Sequence, residues 1–164
     1  MGTTILRSAL VLGPNEYWKS IIGFARKGFP LIGSGKNRFQ LVYINDLVNA
    51  IVFCLENRHT AGELFIAAEE EGVTLEEFYA QLRKLLGKKG RVKKIPAFLG
   101  LMLSYLYITA CFLWGKKTLF APVYIKRLLR ERNYSVSKLL EFGWKPEFNS
   151  LEGLERTMEE LGKK

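Results

Sequence analysis

An α/β fold is predicted for this chain on three observations. Thr3–Leu12 is a nearly continuous apolar run, rich in β-formers and broken only by Arg7 and Ser8, that stops at Gly13-Pro14. Such a run suits a strand buried on both faces within a parallel sheet. Further β-rich segments at 38–44, 63–67 and 91–95 alternate with segments of helical periodicity. The composition is that of a packed globular domain, with 48% hydrophobic and 25% charged residues, which excludes a disordered tail. A length of 164 residues suits a single domain over 1–164 with a core of its own.

The elements follow in order. Tyr17–Lys27 reads as a helix closed by Gly28 to Pro30, and Gly33-Ser34-Gly35-Lys36-Asn37 as a loop leading into a strand at Arg38–Ile44. Leu47, Ile51 and Leu55 recur at helical spacing through Glu56, with Asn45 or Asp46 placed to accept from the free amides of the helix start. Thr74 and Glu77 have capping-box spacing, and their helix runs to Leu86-Gly87. Tyr124–Arg132 reads as a basic helix and Val136–Phe142 as a short one. Ser150 is read as the cap of a last helix reaching Leu161. The expected architecture is one strand added to a parallel sheet plus a small mixed unit of four to six helices.

Charge is unevenly placed. Residues 1–82 hold 7 Lys and Arg against 9 acids, and residues 83–164 hold 18 against 7. The basic half favours an anionic partner, whether a phosphorylated substrate, an anionic membrane surface or nucleic acid, against the plainer reading of a solvated basic surface. No helix-turn-helix or RNA-binding motif accompanies it, which argues against nucleic acid. Within this half, Ile95–Gly115 carries no charge over 21 residues, with Lys93-Lys94 before it and Lys116-Lys117 after. Three readings stay open: a buried core helix, a helix lying in the membrane interface, and a spanning helix. An unpartnered apolar helix of this kind also predicts self-association.

Reactive groups are few. Cys54 and Cys111 lie far apart in apolar runs, match no metal or redox spacing, and read as buried reduced thiols of a cytoplasmic protein. Met1-Gly2 runs at once into strand-like sequence, unlike a signal peptide. His59 stands alone in a polar turn, so neither a metal constellation nor a Ser-His-Asp arrangement is expected. Lys36 beside Gly35 invites a phosphate-loop reading, which Asn37 in the place of Ser/Thr defeats.

Several segments resemble, in order and spacing, the C-terminal, substrate-side part of extended short-chain dehydrogenases/reductases (SDRs). They are the strand Ile5–Leu12 running into Gly13-Pro14, the loop Gly33-Ser34-Gly35, Gln40–Ile44 followed by Asn45-Asp46, Gly62–Ile66, and the closing Tyr134–Lys138 and Phe142–Pro146. The resemblance implies the C-terminal portion of a Rossmann-type fold and a parent enzyme that uses NAD or NADP for hydride transfer. The N-terminal dinucleotide-binding half, with its Gly-rich turn and helix start, is not among these segments. The resemblance therefore implies no cofactor for this chain alone and a missing Rossmann half as partner. It places Ser8 and Val11 near the cofactor, and Tyr17, Arg38 and Gln40 near the substrate. Tyr134 and Lys138 have the family's catalytic spacing but follow the Gly-x-Gly loop instead of preceding the first strand, so no catalytic residue is assigned. Phe39 stands where sugar-nucleotide members often carry arginine, and Arg38, one residue off, points to the other strand face. The expected activity is oxidation or reduction of an apolar alcohol or ketone. The alternatives are a nucleotide-sugar epimerase or dehydratase and a non-catalytic, membrane-associated SDR-like subunit, peripheral to the membrane.

Overall fold

The computed structural model describes residues 2–113 and 121–162. The N-terminal apolar run is extended, but it serves two neighbours in turn. Strand β1 (Ile5–Ser8) pairs in parallel with β6 (Leu64–Ala67), and β2 (Leu10–Leu12) pairs in parallel with β5 (Leu41–Tyr43). Ala9 joins the two parts, its N–H donating to the Ala67 carbonyl at 2.9 Å. The parallel pairing agrees with the sequence, while burial on both faces holds only for the second part. Leu12 is fully buried, whereas Ile5 is 50% exposed and Arg7 and Ser8 lie at the surface. β1 has a single strand neighbour among the described residues and packs inward through Leu6 alone.

Shorter pairs complete the framework. β3 (Leu31–Ile32) runs parallel to β8 (Lys94–Ile95), and β4 (Arg38–Phe39) antiparallel to β7 (Val73–Thr74). The strand expected at 38–44 is thus divided at Gln40, and the one expected at 91–95 shrinks to two residues.

Helices α1 (Glu16–Arg26), α3 (Leu75–Leu85) and α7 (Ser150–Gly162) gather around β2 and β5, where Leu12, Trp18, Ile22, Leu41, Phe78 and Leu154 form the main core. A second cluster joins Ala50 of α2 (Ile44–Glu56) to Phe65 and Ala67 of β6, Leu139 of α6 (Ser137–Glu141), and Trp144. Helix α4 (Ala97–Leu113) packs on α5 (Pro122–Leu128). The described residues therefore hold seven α-helices, one more than the upper end of the expected range.

Helix starts separate local from long-range signals. The Thr74–Glu77 capping box is present in both directions, with Glu77 N–H on Thr74 Oγ1 at 3.2 Å and Thr74 N–H on Glu77 Oε2 at 3.0 Å. Asn45 and Asp46 do not cap α2: the helix starts at Ile44, with Tyr43 at the cap position and no side-chain bond. Asp46, 1% exposed, instead accepts from the N–H groups of Glu147 (2.9 Å) and Phe148 (3.2 Å). Nor does Ser150 cap α7. Asn149 does, accepting from Leu151 and Glu152 N–H at 3.0 Å each, while Ser150 Oγ donates to the buried carboxylate of Glu69.

Candidate substrate cavity

A concavity of about 510 Å³ lies between α1, α3 and α5. That volume is in the range of small-molecule sites. Its walls are apolar and aromatic, with Phe24, Phe39, Phe78, Leu82 and Leu128 among them. The aromatic wall is ordered by ring contacts. Phe39 meets Phe78 edge-on at 5.5 Å between centroids, and Trp18 lies 5.7 Å from Phe78. Trp18 is fixed in turn by its indole N–H, which donates to the Val11 carbonyl at 2.7 Å.

One side of the cavity is cationic. Arg127, Arg130 and Arg132 line it beside Tyr17 and Tyr124, and none of the three makes an ion pair among the described residues. Arg132 is steadied by donating through Nη2 to the Arg127 carbonyl at 3.2 Å. Burial pushes the Tyr17 phenol above its ordinary pKa, partly opposed by the positive charge of Arg132. An apolar chamber with guanidinium groups on one side suits a ligand with an apolar body and an anionic or strongly polar end.

The residues singled out in the sequence do not all converge here. Tyr17 lines the cavity, its ring edge-on to Trp18 at 5.5 Å. Arg38 and Gln40 do not line it. Arg38 Nε donates to the Gly72 carbonyl at 3.1 Å. Gln40, 2% exposed, donates from Nε2 to the Glu69 and Glu70 carbonyls at 2.9 and 3.2 Å and accepts from Tyr134 N–H, so its amide holds the chain together. Ser8 lies exposed at the end of β1, and Val11 packs partly buried against Ala9, Val42 and Ala68. The arginines were visible in the sequence only as part of a basic helix. Nothing local marked Trp18 or Phe78 as cavity walls.

Tyr134 and Lys138 do not come together as a proton-transfer pair. Lys138 pairs with Glu63 and lies 5.5 Å from the centre of the Phe65 ring. Tyr134 is partly exposed and is not a buried tyrosine. Ser135 Oγ meets Ser137 Oγ at 2.8 Å, and the cap position of α6 falls on Val136. His59 is exposed in a 3₁₀ turn, Cys111 is buried and Cys54 half-buried. The glycines of the Gly33-x-Gly35 loop have φ of +88° and +75°. A Cβ on Gly33 would stand 2.5 Å from Leu129 Cδ2, and one on Gly35 2.6 Å from Leu31 Cδ2. The loop leads into β4, its glycines are packed against side chains, and it offers no helix N-terminus to a pyrophosphate. The Gly33-Ser34-Gly35 loop therefore does not fit a dinucleotide cradle.

Fold and cavity together define an α/β protein built on short, mostly parallel strand pairs, and comparison with known proteins narrows the class. The N-acetyl-α-D-glucosaminyl-diphospho-ditrans,octacis-undecaprenol 4-epimerase of Escherichia coli O157:H7 is 21% identical over 159 residues, covering 95% of this chain and 48% of that protein. A 3β-hydroxysteroid-dehydrogenase/decarboxylase of Arabidopsis thaliana is 28% identical over 175 residues, covering 96% and 40%. Among solved structures, UDP-glucose 4-epimerase from Thermotoga maritima superposes with a TM-score of 0.67 at 20% identity over 99% of this chain and 47% of that one. The human epimerase family protein SDR39U1 with NADPH gives 0.71 at 21% over 95% and 48%. No protein-family model matches. By sequence and fold the chain is related to the extended short-chain dehydrogenases/reductases, and it spans about half the length of the relatives it matches or less.

Proposed function

We propose that this chain is the substrate-side half of an NAD(P)-dependent oxidoreductase acting at an alcohol or ketone carbon of an apolar or amphiphilic substrate. The observation that carries the proposal is the aromatic-walled cavity. It would hold the apolar body and keep water from it, while Tyr17 and the arginines orient the polar end. The dinucleotide would come from a second, Rossmann-type half. The free edge of β1 and the exposed stripe Val48, Ile51, Val52 and Leu55 on α2 give such a half a strand to extend and an apolar face to cover. A second reading, an epimerase or dehydratase of a sugar carried on a diphosphate, draws on Arg127, Arg130 and Arg132 together. The undecaprenol-linked and UDP-linked sugars named for the relatives belong to the same chemistry.

Titration with dodecanol and dodecyl phosphate, read by Trp18 fluorescence, tests the site. Both should bind. The phosphate should bind more tightly, and Arg127→Ala with Arg132→Ala should remove that preference, roughly tenfold or more for charge-assisted bonds. Absence of binding by either compound would reject the cavity as a substrate site. An unchanged preference in the double variant would reject the arginines as its anionic subsite.

A further inference from the structure

The cavity leaves one large feature of the molecule unused. Helix α4 packs on the rest of the protein through a narrow stripe of small residues. Gly100, Ser104 and Cys111 are buried, and a Cβ on Gly100 would stand 2.4 Å from Ile32 Cγ2. Much of the rest of its described surface is apolar and open. Phe98, Met102, Tyr105 and Phe112, at i, i+4, i+7 and i+14, are 68, 50, 52 and 85% exposed, and Leu106 beside them is 62% exposed. The aliphatic hydroxyls on the helix are directed back to its own backbone, Ser104 to the Leu101 carbonyl at 2.7 Å and Thr109 to the Tyr105 carbonyl at 2.9 Å, and the phenols of Tyr105 and Tyr107 are the polar tips of the exposed face. The aliphatic hydroxyls add little polarity to the surface. A contiguous apolar face of this extent marks an interaction site.

Charge selects the occupant. Residues 88–132, which bracket α4, contain eleven Lys and Arg against a single acid, Glu131. Arg127, Arg130 and Arg132 of these line the cavity and Lys94 pairs with Glu76 at 2.6 Å, leaving the others to supply the charge. Helix α5, on which α4 packs, contributes Lys126. Two copies meeting through α4 would bring two such basic collars together, whereas an anionic bilayer satisfies collar and apolar face at once. Among the described residues no helix is long and apolar enough to cross a membrane. The 17 described residues of α4 extend about 26 Å.

We infer that α4 docks this protein onto an anionic lipid surface, lying in the headgroup region with its open face in the acyl boundary. The protein body supplies the polar side that a free-standing amphipathic helix would carry itself. The geometry also gives the docked state a purpose. Ile32, which touches Gly100, lines the substrate cavity, as do Tyr124, Ile125 and Leu128 of the adjoining α5. The cavity wall is therefore shared with the membrane-facing unit, placing the cavity beside the lipid from which an amphiphile would be drawn. This last step rests on the proposed function; the docking does not.

Co-sedimentation with vesicles of phosphatidylglycerol and phosphatidylcholine tests the inference, with pure phosphatidylcholine as control. The wild type should bind the anionic vesicles and be released by salt. Lys88→Ala and Lys89→Ala should each weaken binding about fivefold. Leu106→Glu with Phe112→Glu, both at exposed positions, should abolish binding while the circular dichroism spectrum and dodecanol binding at the cavity persist. Failure of the wild type to bind at low salt would overturn the inference, as would full binding by the Glu variant. So would a stable dimer that ignores vesicles and is dissociated by the same substitutions, since α4 would then be an interface between copies. Loss of dodecanol binding with vesicle binding intact would count against the cavity alone.

Discussion

Two buried carboxylates fasten the end of the chain to its middle. Glu69, 5% exposed, accepts from Leu41 N–H at 3.1 Å, Ser150 N–H at 2.8 Å and Ser150 Oγ, linking β5 to the start of α7. Asp46 does the same for Glu147 and Phe148. Burial raises the pKa of both above the ordinary range, and the bonds they accept oppose the rise only in part. The folded state therefore holds their protons more tightly than the unfolded chain. Their contribution to stability grows as pH falls from the raised folded value to the ordinary unfolded one. Glu77 is opposite: its capping bonds with Thr74 lower its pKa, and its contribution is lost as pH falls through that lowered value. Glu69→Gln should cost about 1–3 kcal/mol near neutrality, because one amide oxygen cannot serve three donors. Urea titrations at several pH values should show the gap from wild type widening as pH is lowered through the window of the raised pKa. A gap that narrows would mean that the bonds outweigh burial. The sequence showed both acids but not these roles, because their partners lie 28 to 102 residues away. The Thr74–Glu77 box was legible because its two members are three residues apart.

Elements show the same division between local and distant causes. The uncharged run declared a helix, and α4 is one, but whether it would be covered depended on what the fold brings against it. Its fully buried residues are the small Gly100, Ser104 and Cys111, so the expectation of a core helix is met along one edge alone, and no residue of α4 lines the cavity. The single N-terminal run could not reveal that its two parts pair with different strands, since that choice belongs to β5 and β6. Gly100 is where α4 depends on its support. Gly100→Ala should gain about 1 kcal/mol of helix propensity. It also drives a Cβ to within 2.4 Å of a methyl on the stiff, buried, β-branched Ile32. Overpacking of this kind costs about 1–3 kcal/mol, so the net expectation is a lower thermal midpoint together with weaker dodecanol binding in the adjoining cavity. A raised midpoint would show that α4 shifts on β3 without strain.

At the scale of the molecule, the described residues form an aromatic-walled cavity of small-molecule size, and the Gly33-Ser34-Gly35 loop is packed against side chains where a dinucleotide cradle would be open. Calorimetry of the chain with NADH and NADPH should accordingly show no measurable binding, since amides at a helix N-terminus are a main source of pyrophosphate affinity. Micromolar binding would contradict the assignment of this chain to the substrate side. The α/β class and the family kinship were readable from the order of short segments, whereas the cavity was not, because its walls come from three helices far apart in sequence. The carboxylate ties have a further consequence, for synthesis. α7 completes the main core through Leu154, and its start is held by residues near the middle of the chain. A nascent chain emerging residue by residue has strands β1 to β6 long before it has α7 to cover them. The ribosome must therefore release the chain through α7 before the core can close. Until then Leu12 and Leu41 stand uncovered on that side, and a chaperone that recognises exposed aliphatic strands has its longest opportunity before the last helix arrives.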